Sequence, residues 1–277
     1  MTGWVDAVLQ WPLSVSVTVL VALCALVSWL ATRAVRRIWP QPAFKDNHEL
    51  VGFTYAVYGL IYGVLLAFTI VVAWQRFAET EQLVMHEATL LSELWRDSVV
   101  ARPFMRDDIE KNLIAYAQSV IDDEWPAMAA HGRAHPQTER LYERLWGLTY
   151  HFEPSTKIQE AYMAEFLARM NELSAARRLR VLHSRMEIHG VLWMVLVIGA
   201  LPTVAYPLLF SSKHAWVQVA ITGSIMMIVT LGLLVTLSLQ TPFSGEVSIA
   251  PDAFRQVLES FHKRLLTDPS ALNPISP

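Results

Sequence analysis

The chain has 277 residues, 53% of them hydrophobic and only 17% charged, with a formal net charge of −3. Soluble domains carry about 25% charged residues, and nucleic-acid binders show a basic footprint, so the composition excludes an ordinary soluble domain and a nucleic-acid partner. Cys24 is the single cysteine, which excludes an internal disulfide framework.

Four windows, 12–32, 51–75, 188–212 and 215–245, contain no Asp, Glu, Lys or Arg. Each supplies the roughly 20 apolar residues a spanning helix needs. Backbone polar groups cannot go unpaired in lipid, so the four windows are predicted to be transmembrane helices. The first is preceded by Asp6 and followed by Arg33, Arg36 and Arg37. With no basic segment or cleavage site before it, it reads as a retained anchor rather than a signal peptide. The reading places spans one and two with a basic connecting loop in 1–74, a helical extramembrane domain in 75–187, spans three and four in 188–240, and a polar tail in 241–277.

The second window reads YAVYGLIYGVLLAF over 55–68 and continues without a break into TIVVAWQRFAETEQ. At about 100° per residue it sorts into three faces. Phe53, Val57, Leu60, Val64, Phe68 and Val71 form an apolar face suited to lipid. Gly52, Ala56, Gly59, Gly63 and Ala67 form a row of small residues that lets another backbone approach closely. Tyr55, Tyr58, Tyr62 and Thr69 share a hydroxyl-bearing arc that ends near Arg76. The wheel leaves two arrangements open: the hydroxyls bond to neighbouring helices, or the arc lines an aqueous pore with Arg76 attracting anions near one mouth. The unbroken run into QRFAETE predicts one long helix.

The polar insertion is predicted to be wholly helical. Its stripes are Phe77, Val84, Ala88, Leu91 and Trp95; then Ile109, Leu113, Tyr116 and Val120; then Leu141, Leu145 and Leu148; then Ile158, Tyr162, Phe166, Met170 and Leu173. Breaks are expected at Pro103, over 131–136 and over 153–156. Glu81 and Glu87, in or beside the first stripe, either ring a vestibule or pair with Arg76, Arg96 or the arginines of 177–185. Asp122, Asp123 and Glu124 point about 100° apart on a helix, so they read as a solvated face rather than convergent ligands. His131 and His135 have i, i+4 spacing, but Gly132 and Pro136 spoil the helix, so no metal site is expected there. No cofactor is expected, and no phosphate loop, nucleophile elbow or zinc-protease motif occurs. Spans three and four carry no charged residue, which argues against a proton-coupled transporter. Pro251 and Asp252 open a short amphipathic helix in the tail.

Several stretches resemble the bacterial four-span membrane proteins grouped as bestrophin-like, a domain-of-unknown-function family. They are GFTYAVYGLIYGVLLAFTIVVAWQRF, VMHEATLLSELWRD, VIDDEWPAM, ELSAARRLRVLHSR and TPFSGEVSI, in that order along nearly the whole chain. The resemblance implies an all-α integral membrane protein, with a helical domain inserted between the second and third of four transmembrane helices. Through the looser tie to bestrophin chloride channels it implies a homo-oligomer, a pentamer by analogy, in a bacterial inner membrane and passing small anions. In that analogy the second span lines the pore, with Leu65, Leu66, Thr69 and Ala73 nearest the neck. One corner departs from the family: where relatives commonly have Asp-Arg before the Pro-Phe after span four, this chain has Gln240 and Thr241. A non-conducting scaffold or envelope sensor, acting through the helical domain, is the alternative. Positive-inside counting puts the loop bearing Arg33, Arg36, Arg37 and Lys45 in the cytoplasm, whereas the analogy puts the helical domain there, so the orientation stays open.

Overall fold

The computed structural model describes residues 13–38, 48–150, 154–185, 189–209 and 214–267. Asp6, Lys45, most of the link before span four and the end of the tail lie outside these described residues. The described chain is all-α: α1 (Leu13–Ile38), α2 (His48–Asp97), a 3₁₀ turn (Ser98–Val100), α3 (Pro103–Ser119), a π-helical turn (Val120–Glu124), α4 (Trp125–His131), α5 (Pro136–Thr149), α6 (Lys157–His183), α7 (Gly190–Leu209), α8 (Ala215–Gln240) and α9 (Asp252–Thr267). The second window and the charged segment after it do form a single helix, 50 residues long. The chain divides into two compact units.

The first unit comprises residues 1–77, 187–241 and 245–247. It holds α1, the first part of α2, α7 and α8, each part of a helix long and apolar enough to cross a membrane. The protein is an integral membrane protein. Lipid tails are as apolar as leucine, so spans associate through close packing and hydrogen bonds rather than a hydrophobic drive. α1 shows this directly. Its buried side chains are Ser16, Cys24, Ser28 and Thr32, a ridge at multiples of four residues, while Leu23, Leu26, Trp29 and Leu30 are exposed. The ridge meets α8 running the other way. Cys24 Sγ lies 3.7 Å from Thr230 Oγ1, and Ser28 Oγ donates to the Val219 carbonyl at 2.9 Å. Arg36 donates through Nε and Nη2 to Gln218 Oε1 at 3.2 and 3.1 Å.

α2 is seated by two notches. Tyr62, Leu66, Leu196 and Val229 form the core between α2, α7 and α8. A Cβ at Gly199 would lie 2.7 Å from Tyr62 Cδ2, and one at Gly232 would lie 2.7 Å from Leu66 Cδ2. Only glycine admits those side chains. A second cluster joins Ala73 and Leu239 with Phe77 and Trp193. Trp193 Nε1 donates to Gln240 Oε1 at 2.9 Å, so the residue that departs from the family pattern at this corner holds a bond of its own. Pro202 and Pro207 both lie inside α7.

The second unit comprises residues 78–186, 242–244 and 248–277. The stripes of α2 and α3 form its core, with Leu91, Leu94, Leu113, Tyr116 and Val120 at or near zero exposure. The expected breaks have physical causes: Pro103 occupies the first turn of α3, and Gly132 ends α4 at φ 58°. The segment after span four is more than a polar tail. Trp125 Nε1 donates to the Ile249 carbonyl at 3.0 Å, and its ring meets Phe243 and Phe254 edge-on. Phe261 stacks on Trp95 at 4.2 Å, so α9 completes the core. Of the fourth stripe only Phe166, Met170 and Leu173 are buried; Ile158 and Tyr162 are exposed.

The glycine notch yields a pair of opposed outcomes. Gly199→Ala should destabilise the protein by about 1–3 kcal/mol, the usual cost of overpacking. Tyr62→Phe should leave the melting temperature unchanged or raised, because the Tyr62 hydroxyl is buried without a bonding partner. Thermal unfolding of the purified protein in detergent reads both.

Candidate functional site along the long helix

The sequence places every candidate residue on α2. Within the membrane unit the structure sorts them cleanly. Tyr62, Leu66, Thr69 and Ala73 are 3%, 8%, 4% and 1% exposed. They are covered by this chain's own packing, and Thr69 Oγ1 is turned back onto the Leu65 carbonyl at 2.9 Å. The expectation that these four offer themselves to a pore is therefore corrected: the arc that carries them is the face α2 uses to join its own bundle. Tyr55 and Tyr58 are half-buried, and both rings lie 6.1 Å from that of Tyr206 on α7. The hydroxyl-bearing arc thus meets a neighbouring helix of the same chain.

The rest of the circumference of α2 is open. Leu65 is 42% exposed, and Ile61, Val72 and Arg76 share its edge of the helix and are also exposed. Phe53, Val57, Leu60, Val64, Phe68 and Val71, the face assigned to lipid, are all exposed. Of the small-residue row, Gly52 and Gly59 are half-buried, and Ala56, Gly63 and Ala67 are exposed. A Cβ added at Gly59 or Gly63 would meet nothing within 4 Å. These glycines are not explained by packing within the chain, in contrast to Gly199 and Gly232.

In the helical unit the two carboxylates part company. Glu81 is exposed. Glu87 is 0% exposed and takes a two-point bond from Arg180, Nε to Oε2 at 2.6 Å and Nη2 to Oε1 at 3.0 Å. The ion-pair alternative holds for Glu87, and the vestibule role is corrected, because a sealed carboxylate faces no water. Arg180, itself fully buried, also donates to Glu124 Oε2 at 3.2 Å and to Met128 Sδ at 3.2 Å. Its guanidinium lies 5.6 Å from the Trp125 ring and 5.7 Å from that of Phe254. Tyr116 donates to Glu87 Oε1 at 2.7 Å. Arg177 bridges Glu124 at 2.9 Å and Glu139 at 2.7 Å and lies over the Tyr142 ring.

The electrostatics follow from this geometry. Burial works against the Arg180 charge, but the carboxylates of Glu87 and Glu124 outweigh it and hold the guanidinium above its usual pKa. Burial, reinforced by the Glu87 charge, pushes the Tyr116 phenol well above its ordinary value. The expected solvated face at 122–124 is corrected in one position: Asp122 is exposed, but Glu124 is fully buried as the second acceptor of this cluster. Among the described residues no group of three His, Cys, Asp or Glu is placed to hold a metal ion. A pocket of about 340 Å³ opens near the end of α2, lined in part by Met105, Ile109, Met163 and Phe166, with Asp97 at its edge. Burial raises the Asp97 pKa against the pull of Arg169.

Sequence reasoning missed the arginine cluster as a core, yet a signal was present. Glu87 falls three residues after Val84 and four before Leu91, inside an apolar stripe, where a carboxylate survives only with a buried cation.

A family model described as the bestrophin-like domain matches residues 18–254. The chain belongs to the bestrophin-like family. Solved structures share its fold. A crystal structure of a bacterial bestrophin homologue from Klebsiella pneumoniae, a point variant, is 12% identical with a TM-score of 0.65, covering 90% of this chain and 99% of that one. Another variant of that homologue gives 14% identity and a TM-score of 0.66, over 91% and 99%. A structure described as a membrane protein variant gives 12% and 0.67, over 88% and 97%. No curated protein sequence matches the chain.

Glu87→Ala should cost about 3–5 kcal/mol of stability, since it strands a buried guanidinium, and should appear as a large fall in melting temperature. The Tyr116 shift gives a pH signature. With the folded pKa raised above the ordinary 10.0, the folded state keeps a proton that the unfolded state loses. Stability from this group is full below about pH 10 and declines as pH rises beyond it. Tyr116→Phe, less stable at neutral pH, should show a shallower decline between pH 9 and 11 in the same unfolding assay.

Proposed function

We propose that the protein is an oligomeric ion channel of the bestrophin-like kind, passing small anions, with α2 lining the shared pore. The observation that carries this reading is the open circumference of α2. One arc is consumed by the chain's own bundle, while the edge bearing Ile61, Leu65, Val72 and Arg76 and the row bearing Gly59, Gly63 and Ala67 are left uncovered. Around a symmetry axis the small row accepts the neighbouring copy, and the Leu65 edge turns inward as an apolar constriction. Arg76 stands at its end and favours anions. Family membership and the fold shared with bacterial bestrophin homologues support the same reading. Tyr55 and Tyr58, half-buried beside that edge, contribute at its far end. Glu81, exposed just past Arg76, is the remaining candidate for the pore's outer rim.

The experiment is anion flux from chloride-loaded liposomes carrying the purified protein. Flux is expected, with Leu65→Ala raising it and Arg76→Glu lowering chloride relative to cation permeation. Absence of flux at every voltage and pH tried would replace the channel with the scaffold or sensor alternative. Gly63→Val tests the assembly separately. The added side chain meets nothing within the chain, so the protomer should fold with an unchanged helical signal while the particle mass in detergent falls; a full-size oligomer would remove the small row from the interface.

A further inference from the structure

The spans contain eight described threonines, and six treat their hydroxyls alike. Thr18, Thr54, Thr69, Thr203, Thr230 and Thr236 each donate to the carbonyl four residues earlier, at 2.6–2.9 Å. That bond is always available to a helical threonine and needs no outside partner. Thr32 and Thr222 decline it. Their hydroxyls are buried with no bonding partner, although the residues are 2% and 1% exposed. In a bilayer an orphaned hydroxyl is costly, and here the low-energy remedy lies within reach of the same side chain and is not used.

Both belong to the seam between α1 and α8. Thr32 stands one turn after Ser28 and one turn before Arg36, whose partners on α8 are the Val219 carbonyl and Gln218. Thr222 stands one turn after Gln218 and beside Gly223, where an added Cβ would lie 3.6 Å from Ser28 Oγ. The two orphaned hydroxyls therefore border the same cross-helix contact from its two sides. We infer that this seam encloses an ordered water molecule bonded by the hydroxyls of Thr32 and Thr222. Water suits the site because it is neutral and both donates and accepts, so it satisfies two hydroxyls whichever way each turns. The site is independent of the channel reading, since it needs only the α1–α8 contact.

The test is a double-mutant cycle on the full-length protein in detergent. Thr32→Val and Thr222→Val keep the shape and remove the hydroxyls. Each should lower the melting temperature by about 2–4 °C, the shift about 1 kcal/mol produces in a chain approaching this size, and the double variant should fall no further than the worse single one. Thr32→Ser and Thr222→Ser should restore the wild-type value. Single valines that leave the melting temperature unchanged or raise it would mean dry, orphaned hydroxyls, and additive losses would mean two unlinked sites; either overturns the inference. Exchanging chloride for gluconate should change nothing, and a chloride-dependent loss in the valine variants would assign the site to an anion instead. High-resolution density of the wild type gives a check that no variant can spoil: a peak within bonding distance of both hydroxyls is expected, and an empty seam refutes it.

Discussion

A guanidinium cannot be sealed from water alone, and Arg180 is sealed completely. Stripping such an ion of water costs several kcal/mol even after relaxation, so the helical unit is arranged around answering one charge. α2 supplies Glu87, the π-helical turn supplies Glu124, and Tyr116 on α3 fills a further acceptor site on Glu87. α4 brings Trp125 and Met128 over the cation, and α9 brings Phe254. Five separate elements are thereby fixed by reference to a single side chain. A pair like this adds little net stability over a well-packed apolar core. What it adds is uniqueness, because a shifted register anywhere among the five leaves a charge unanswered.

The membrane unit is held by different means, as its solvent requires. Apolar matching gives no preference for protein over lipid, so identity comes from notches and polar contacts. Gly199 and Gly232 admit Tyr62 and Leu66 and no other pairing of those surfaces. α1 joins through a ridge of small polar side chains and turns its large residues outward. Against that background Gly59 and Gly63 stand out, since they make room for something that one chain does not provide.

Much of this was legible in the sequence. The four spans followed from the absence of charge over four windows, and the long second helix from the lack of any breaker between Gln75 and Glu79. The three faces of α2 were drawn correctly, but their assignments were not all recoverable. A helical wheel shows that Tyr62 and Thr69 lie together and cannot say what they lie against. The deciding fact was the position of Gly199, some 130 residues away along the chain, which makes a socket for a tyrosine ring. Glu124 was misjudged for a related reason. The reading used local angles, whereas its burial depends on Arg177 and Arg180, which the fold brings across from α6. The C-terminal segment was underrated because its few aromatic residues, Phe243, Phe254 and Phe261, count for little in composition and for a great deal in contact with Trp95 and Trp125.

The π-helical turn at Val120–Glu124 carries an implication for how this sequence tolerates change in length. Such a turn accommodates one residue more than an α-helix would allot to the same rise. Everything from Trp125 onward is phased to that surplus: Glu124 points to the arginines, Asp122 to solvent, and Trp125 to Ile249. Losing a single residue here would let an unbroken helix form, better bonded along its backbone, and would rotate the following turn by about 100°. The helix would gain regularity and the arginines would lose their second carboxylate. The irregularity is thus an indexing device, a one-residue spacer that keeps two otherwise ordinary helical segments in step with a charge elsewhere in the fold.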